Sequence, residues 1–124
     1  MSQNDASSLI FSKINEGFKK KHKIEPTDVW FPDFKRKDIT NLRNMFEGSD
    51  LAGVDLSQWD TSKVTDMTAM FKGAKNIPEG ICKWKTDNVS EMSLMFSEAE
   101  NIPEGIGNWD TSRVIITNFM FKEA

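Results

Sequence analysis

Trp59, Trp84 and Trp109 follow one another at a step of 25 residues, and the same step back from Trp59 lands on Phe34. Five residues after each of these aromatics stand Ile39, Val64, Val89 and Val114; eight after, Leu42, Met67, Met92 and, out of pattern, Thr117. Eleven after come Met45, Met70, Met95 and Met120, twelve after come Phe46, Phe71, Phe96 and Phe121, and fifteen after come Ser49, Ala74, Ala99 and Ala124. Leu56, Ile81 and Ile106 align late in each full unit. A period kept this long without an insertion constrains the fold more than any other property of the chain. Each unit carries roughly six apolar positions, too few to close a core alone, but stacking the units turns every position into a column and makes one continuous core. The expected architecture is an α/β repeat, a short solenoid of four 25-residue turns spanning 34–124, with units 34–58, 59–83, 84–108 and a shorter 109–124.

Within a unit, Val64-Thr65-Asp66-Met67 is β-branched at its start and reads as a short parallel strand. Thr68-Ala69-Met70-Phe71-Lys72-Gly73-Ala74 contains helix formers and a late glycine, and reads as a turn or two of α- or 3₁₀-helix. Asn76-Ile77-Pro78-Glu79-Gly80 and Asn101-Ile102-Pro103-Glu104-Gly105 have turn chemistry. A methionine column could be a soft metal ladder. Methionine also fills irregular gaps well, and the neighbouring phenylalanine column favours packing, so no metal and no cofactor is expected.

Residues 1–33 are different. Asp5 or Ser7 can cap a helix through about Lys21, with Ile10, Ile14 and Phe18 on one stripe and Phe11 beside it. Lysines near its end suit the helix dipole. A stack needs its open end covered, and this segment is read as an N-terminal helical cap.

Composition narrows the function classes. One cysteine, Cys82, and one histidine, His22, allow neither an internal disulfide nor a zinc site of four Cys/His ligands. His22 lies among Lys19, Lys20, Lys21 and Lys23 and reads as a solvated side chain. No run of 18 apolar residues exists, so no transmembrane helix is expected. Met-Ser-Gln-Asn-Asp-Ala-Ser-Ser lacks the pattern of a signal peptide. The expected location is cytoplasmic, with a secreted or surface-anchored form if the N-terminus is processed. Residues 1–40 hold eight Lys/Arg against six Asp/Glu, and residues 41–124 eight against thirteen.

The segments Trp59-Asp60-Thr61-Ser62-Lys63-Val64-Thr65-Asp66-Met67-Thr68-Ala69-Met70-Phe71-Lys72-Gly73-Ala74 and Trp109-Asp110-Thr111-Ser112-Arg113-Val114 resemble a bacterial surface-protein repeat of about 26 residues. It occurs in Listeria and Mycoplasma lipoproteins and BspA-like proteins. The resemblance covers about 34–124. It implies a fold related to leucine-rich repeats, and adhesion or partner binding rather than catalysis. Members of that family are usually long, secreted and anchored; this chain is short.

The function expected is therefore a non-catalytic protein–protein interaction module. Residues that vary between units, Lys63, Asn88 and Arg113, together with Asp66 and Glu91, would line its face. The alternative is a small inhibitor, of the kind phages and mobile elements encode, whose acidic face enters the basic nucleic-acid channel of a host enzyme. Asp60, Asp66, Glu79, Asp87, Glu91, Glu104 and Asp110 would supply the charge. Stacked carboxylates such as Asp66 and Glu91 are the only catalytic candidates, and proximity alone does not make an enzyme. The clusters Lys19–Lys23 and Lys35-Arg36-Lys37 flank Trp30 and Phe31, but neighbouring acids dilute them, so direct nucleic-acid binding is not expected.

The last unit departs in one direction. Thr65-Asp66 and Ser90-Glu91 become Ile115-Ile116, and Asn44, Ala69, Leu94 become Phe119. Ile115, Ile116, Phe119 and Leu94 are thus the candidate protein interface, most simply a homodimer contact. A rival account turns Ile116 inward to replace the methionine missing at Thr117.

Overall fold

The computed structural model describes residues 10–24, 40–57, 59–115 and 120–124. Residues 25 amino acids apart meet throughout. Parallel bridges join Asn41 to Asp66 and Asp66 to Glu91, and a second pair of bridges joins Asp50 to Lys75 and Lys75 to Glu100. The expected strand at Val64–Met67 is reduced to this single bridging residue per unit.

Phe46, Phe71, Phe96 and Phe121 stack ring on ring at 5.8, 5.7 and 5.5 Å. Trp59 and Trp84 stack at 6.1 Å with planes 4° apart. Phe46, Met45, Phe71, Met70, Phe96 and Met95 have no solvent exposure, and Trp84 keeps 5%. Met67 and Met92 are also fully buried, and Met120 is partly buried against the same core.

The helix expected at Thr68–Ala74 does not form. Ala69 and Gly73 have φ of 54° and 69°, and Asn44, Leu94, Gly48 and Glu98 at matching positions are left-handed too. The segment is a run of turns in which the N–H groups alternate. Met70, Lys72 and Ala74 donate to the carbonyls of Met67, Ala69 and Phe71 within the unit, whereas Ala69, Phe71 and Gly73 donate to Ser93, Met95 and Ser97 of the following unit at 2.8–3.0 Å. A helix would satisfy the same groups internally but could not join neighbouring units. Helical 3₁₀ structure appears instead on the Asn-Ile-Pro-Glu-Gly segments, at Glu79–Lys83 and Glu104–Asn108, each opened by a proline.

The N-terminal helix is also not continuous. Residues 10–13 are helical, the chain breaks, and α1 begins again at Glu16 and runs to His22. Asn15 causes the break. Its Oδ1 accepts from the N–H groups of Gly17 and Phe18, and its own N–H turns away to Met45 O at 2.6 Å. Ile10, Ile14, Phe18 and Ile24 are buried in the same core as the repeats, so the apolar stripe packs where expected. Ser49 Oγ adds a hydrogen bond to Lys13 O. The candidate caps Asp5 and Ser7 lie outside the described residues, as do Phe34, Ile39, Trp30, Phe31 and Lys35–Lys37.

Candidate functional site

The residues that make the repeat recognisable are engaged in holding unit to unit. Trp84 Nε1 donates to Leu56 O at 2.8 Å and Trp109 Nε1 to Ile81 O at 3.0 Å, both reaching 28 residues back. Thr61 and Thr86 are buried and reach forward, their hydroxyls donating to Lys85 O and Asp110 O. Asp60 Oδ1 accepts from both the N–H and the hydroxyl of Ser62, and Asp110 Oδ1 from the N–H of Ser112. Bonds from Ser62 and Ser112 hold these two carboxyls below the usual aspartate range. The Trp and Thr of the Trp-Asp-Thr-Ser signature therefore tie unit to unit, and its Asp and Ser close a local turn.

The seven acidic candidates fall into several columns. Asp60 and Asp110 share one, but Lys85 stands between them and, with Lys63, helps to lower Asp60. Asp87 belongs to the column of Ser62 and Ser112, and Glu79 and Glu104 open the 3₁₀ helices. Asp66 and Glu91 meet directly. Asp66 is 7% exposed; Arg43 Nη1 donates to its Oδ2 at 3.2 Å and the Thr68 N–H to its Oδ1 at 2.9 Å. Burial is the largest single influence and works to raise Asp66, yet bonds from Thr68 and Glu91 and the Arg43 charge together hold it low. Glu91 moves the other way, raised by its hydrogen bond to Asp66 and then by that neighbour's negative charge. The two residues thus lie side by side next to Arg43, with Asp66 withdrawn from solvent.

Of the expected interface, Ile115 is 83% exposed and Leu94 is half-buried. Ile116 and Phe119 lie outside the described residues, as does Thr117. Sequence reasoning missed Phe121. It keeps 51% exposure although Phe46, Phe71 and Phe96 have none, because its ring lies on Phe96 with one face only. Its place in the phenylalanine column of the last unit was the available signal.

Backbone groups follow the same stacking. Phe46, Phe71 and Phe96 each donate an N–H to the next unit, at Met70, Met95 and Met120, and Gly48, Gly73 and Glu98 do so to Lys72, Ser97 and Lys122.

A second concave feature lies at the other end. A cleft of about 250 Å³ between α1 and the first unit is lined by Asn15, Gly17, Phe18, Lys21, His22, Asn41, Arg43, Asn44 and Glu47. The His22 ring lies against Phe18 at 4.3 Å, so it is less solvated than its lysine-rich surroundings suggest.

A family described as "Mycoplasma protein of unknown function, DUF285" matches residues 12–124. The chain belongs to this family. The match takes in α1 as well as the repeats. No curated protein and no solved structure matches the chain. Among the described residues, no helix is long and apolar enough to cross a membrane, and no three His, Cys, Asp or Glu side chains gather as a metal site.

Proposed function

We propose that the protein is a non-catalytic protein–protein interaction module: a short solenoid related to leucine-rich repeats and to the BspA-like surface repeats, capped by its N-terminal helices. The observation that carries this reading is the surface of the last unit, where Ile115 and Phe121 are the exposed large hydrophobics among the described residues. Exposed apolar area of this kind marks contact surfaces. Its occupant is a second copy of this chain. The Phe121 ring packs on Phe96 as Phe96 packs on Phe71, so the chemistry that fits the exposed ring is another unit of this repeat. No observation favours the acidic inhibitor, since Asp66 is paired with Arg43 and Lys85 interrupts the Asp60 column.

Sedimentation velocity of wild type and Ile115→Glu tests the reading. Wild type sediments as a dimer at micromolar concentration and Ile115→Glu as a monomer with an unchanged circular dichroism melt. A wild type that stays monomeric at high micromolar concentration overturns the homodimer.

A further inference from the structure

The two ends of the stack are finished differently. Phe46 and Phe121 are the first and last rings of one column, yet Phe46 has no solvent exposure and Phe121 keeps 51%. Leu42 and Met45 of the first unit are also fully buried, and Ile10, Ile14 and Phe18 belong to the same core. The backbone shows how the first unit is closed. In each later unit the methionine carbonyl accepts from the phenylalanine N–H of the unit before: Met70 O from Phe46 at 2.9 Å, Met95 O from Phe71 at 3.0 Å and Met120 O from Phe96 at 2.8 Å. Met45 O, the first of this series, accepts instead from the Asn15 N–H at 2.6 Å. Asn15 thus stands where a preceding unit would donate. The Ser49 hydroxyl, donating to Lys13 O, ties the same segment down.

We infer that the N-terminal helices stop self-association at two copies: chains join last unit to last unit about a two-fold axis and cannot add head to tail. The inference rests on the reading of the last unit as a homodimer surface. A repeat that stacks on itself has a second way to associate, since the last unit of one copy could continue onto the first unit of the next. A contact of that kind grows into an open filament. Here the route is closed. An incoming Phe121 N–H would need the Met45 carbonyl, which Asn15 holds. It would also need apolar area on the first unit, and Leu42, Met45 and Phe46 have none left to give. Displacing the helices to make room would uncover Ile14 and Phe18, each only 3% exposed, so one buried apolar surface would merely be exchanged for another. What remains open on each copy is the face carrying Ile115 and Phe121. Two identical faces meet isologously, and an isologous contact closes after two chains.

Sedimentation of the full-length wild-type chain over a wide concentration range gives the first readout: the mass rises to twice that of the chain and stays there at high micromolar concentration. Double electron–electron resonance gives the second, from a spin label on Lys20→Cys in a Cys82→Ser background. Lys20 is exposed on α1, at the sealed end. In the two-fold dimer the labels are separated by two stacks of four units, about 40 Å or more at ~4.8 Å per unit. A head-to-tail pair separates them by one stack, about half of that. Phe18→Asp, which drives α1 out of the core, forms species larger than a dimer, and adding Ile115→Glu abolishes them. Should Phe18→Asp lose the fold, the wild-type masses and the label separation still decide. Growth of the wild type past two copies, a separation of one stack, or a folded Phe18→Asp that stops at two overturns the inference alone. A wild type that stays monomeric overturns the homodimer reading itself, and the inference with it.

Discussion

The Trp109 indole donates its N–H to the Ile81 carbonyl, 28 residues back, while the Thr86 hydroxyl donates forward to Asp110 O. Neighbouring units are thus tied in both chain directions by side chains of the repeat signature, in addition to the ring stacking that fills the core.

The central tryptophan should be the most sensitive of these ties. Trp84 packs on two rings of the preceding unit, at 6.1 Å from Trp59 and 6.0 Å from Phe71, and bonds to Leu56 O. Trp84→Ala is expected to cost ~3–5 kcal/mol, and in so small a chain this is enough to lose the cooperative transition at room temperature. Chemical denaturation monitored by far-UV circular dichroism measures it; a midpoint close to that of wild type contradicts a shared core.

Thr86 isolates the hydrogen bond from the packing. Thr86→Val keeps the shape, removes the donor and leaves Asp110 O unsatisfied. The expected loss is ~1–3 kcal/mol. Thr111 holds the same position but is exposed, so Thr111→Val should change stability by less than ~0.5 kcal/mol. Equal effects at the two sites would show that β-branching, and not the inter-unit bond, is what the position requires.

Gly80 is required by close approach. A Cβ there would stand 2.7 Å from Ser57 Cβ and 2.8 Å from Ser57 N of the preceding unit. Backbone cannot yield as a flexible side chain can, so Gly80→Ala is expected to destabilise by ~1–3 kcal/mol. Gly107→Ala meets nothing within 4 Å and serves as the control. Thermal melts of the two variants should separate clearly.

The Asp66–Glu91 contact makes stability depend on pH with opposite signs. Asp66 is lowered from 3.8, so its contribution is present above that value and is lost as pH falls through its folded pKa. Glu91 is raised from 4.5, so the folded chain holds this proton more tightly, and stability falls as pH rises from 4.5 through the raised value. Glu91→Gln keeps a donor for Asp66 at all pH. It should raise the melting temperature at pH 7 and leave it nearly unchanged near pH 4. A variant less stable than wild type at pH 7 would rule out repulsion between the two carboxylates.

The columns of Trp, Met and Phe were legible because a 25-residue period leaves the same side chain facing the same neighbour from unit to unit, and most of these side chains are buried, Phe121 excepted. The apolar stripe Ile10, Ile14 and Phe18 was legible for the same reason at helical spacing. What the linear pattern could not show was where each backbone N–H would go. Met, Ala and Lys have good helix propensity, and Thr68–Ala74 would satisfy itself as a helix if nothing lay beside it. Stacked units supply outside acceptors such as Ser93 O and Met95 O, and those bonds hold Ala69 in a left-handed conformation that an isolated alanine avoids. Asn15 is a similar case: its capping ability is local, but the break it makes is fixed by the Met45 carbonyl, 30 residues away. The sequence by itself determined which side chains recur and how often. Only the tertiary structure decided the path of the backbone between them, because the bonds that set it connect residues about 25 apart and exist only once the units are stacked.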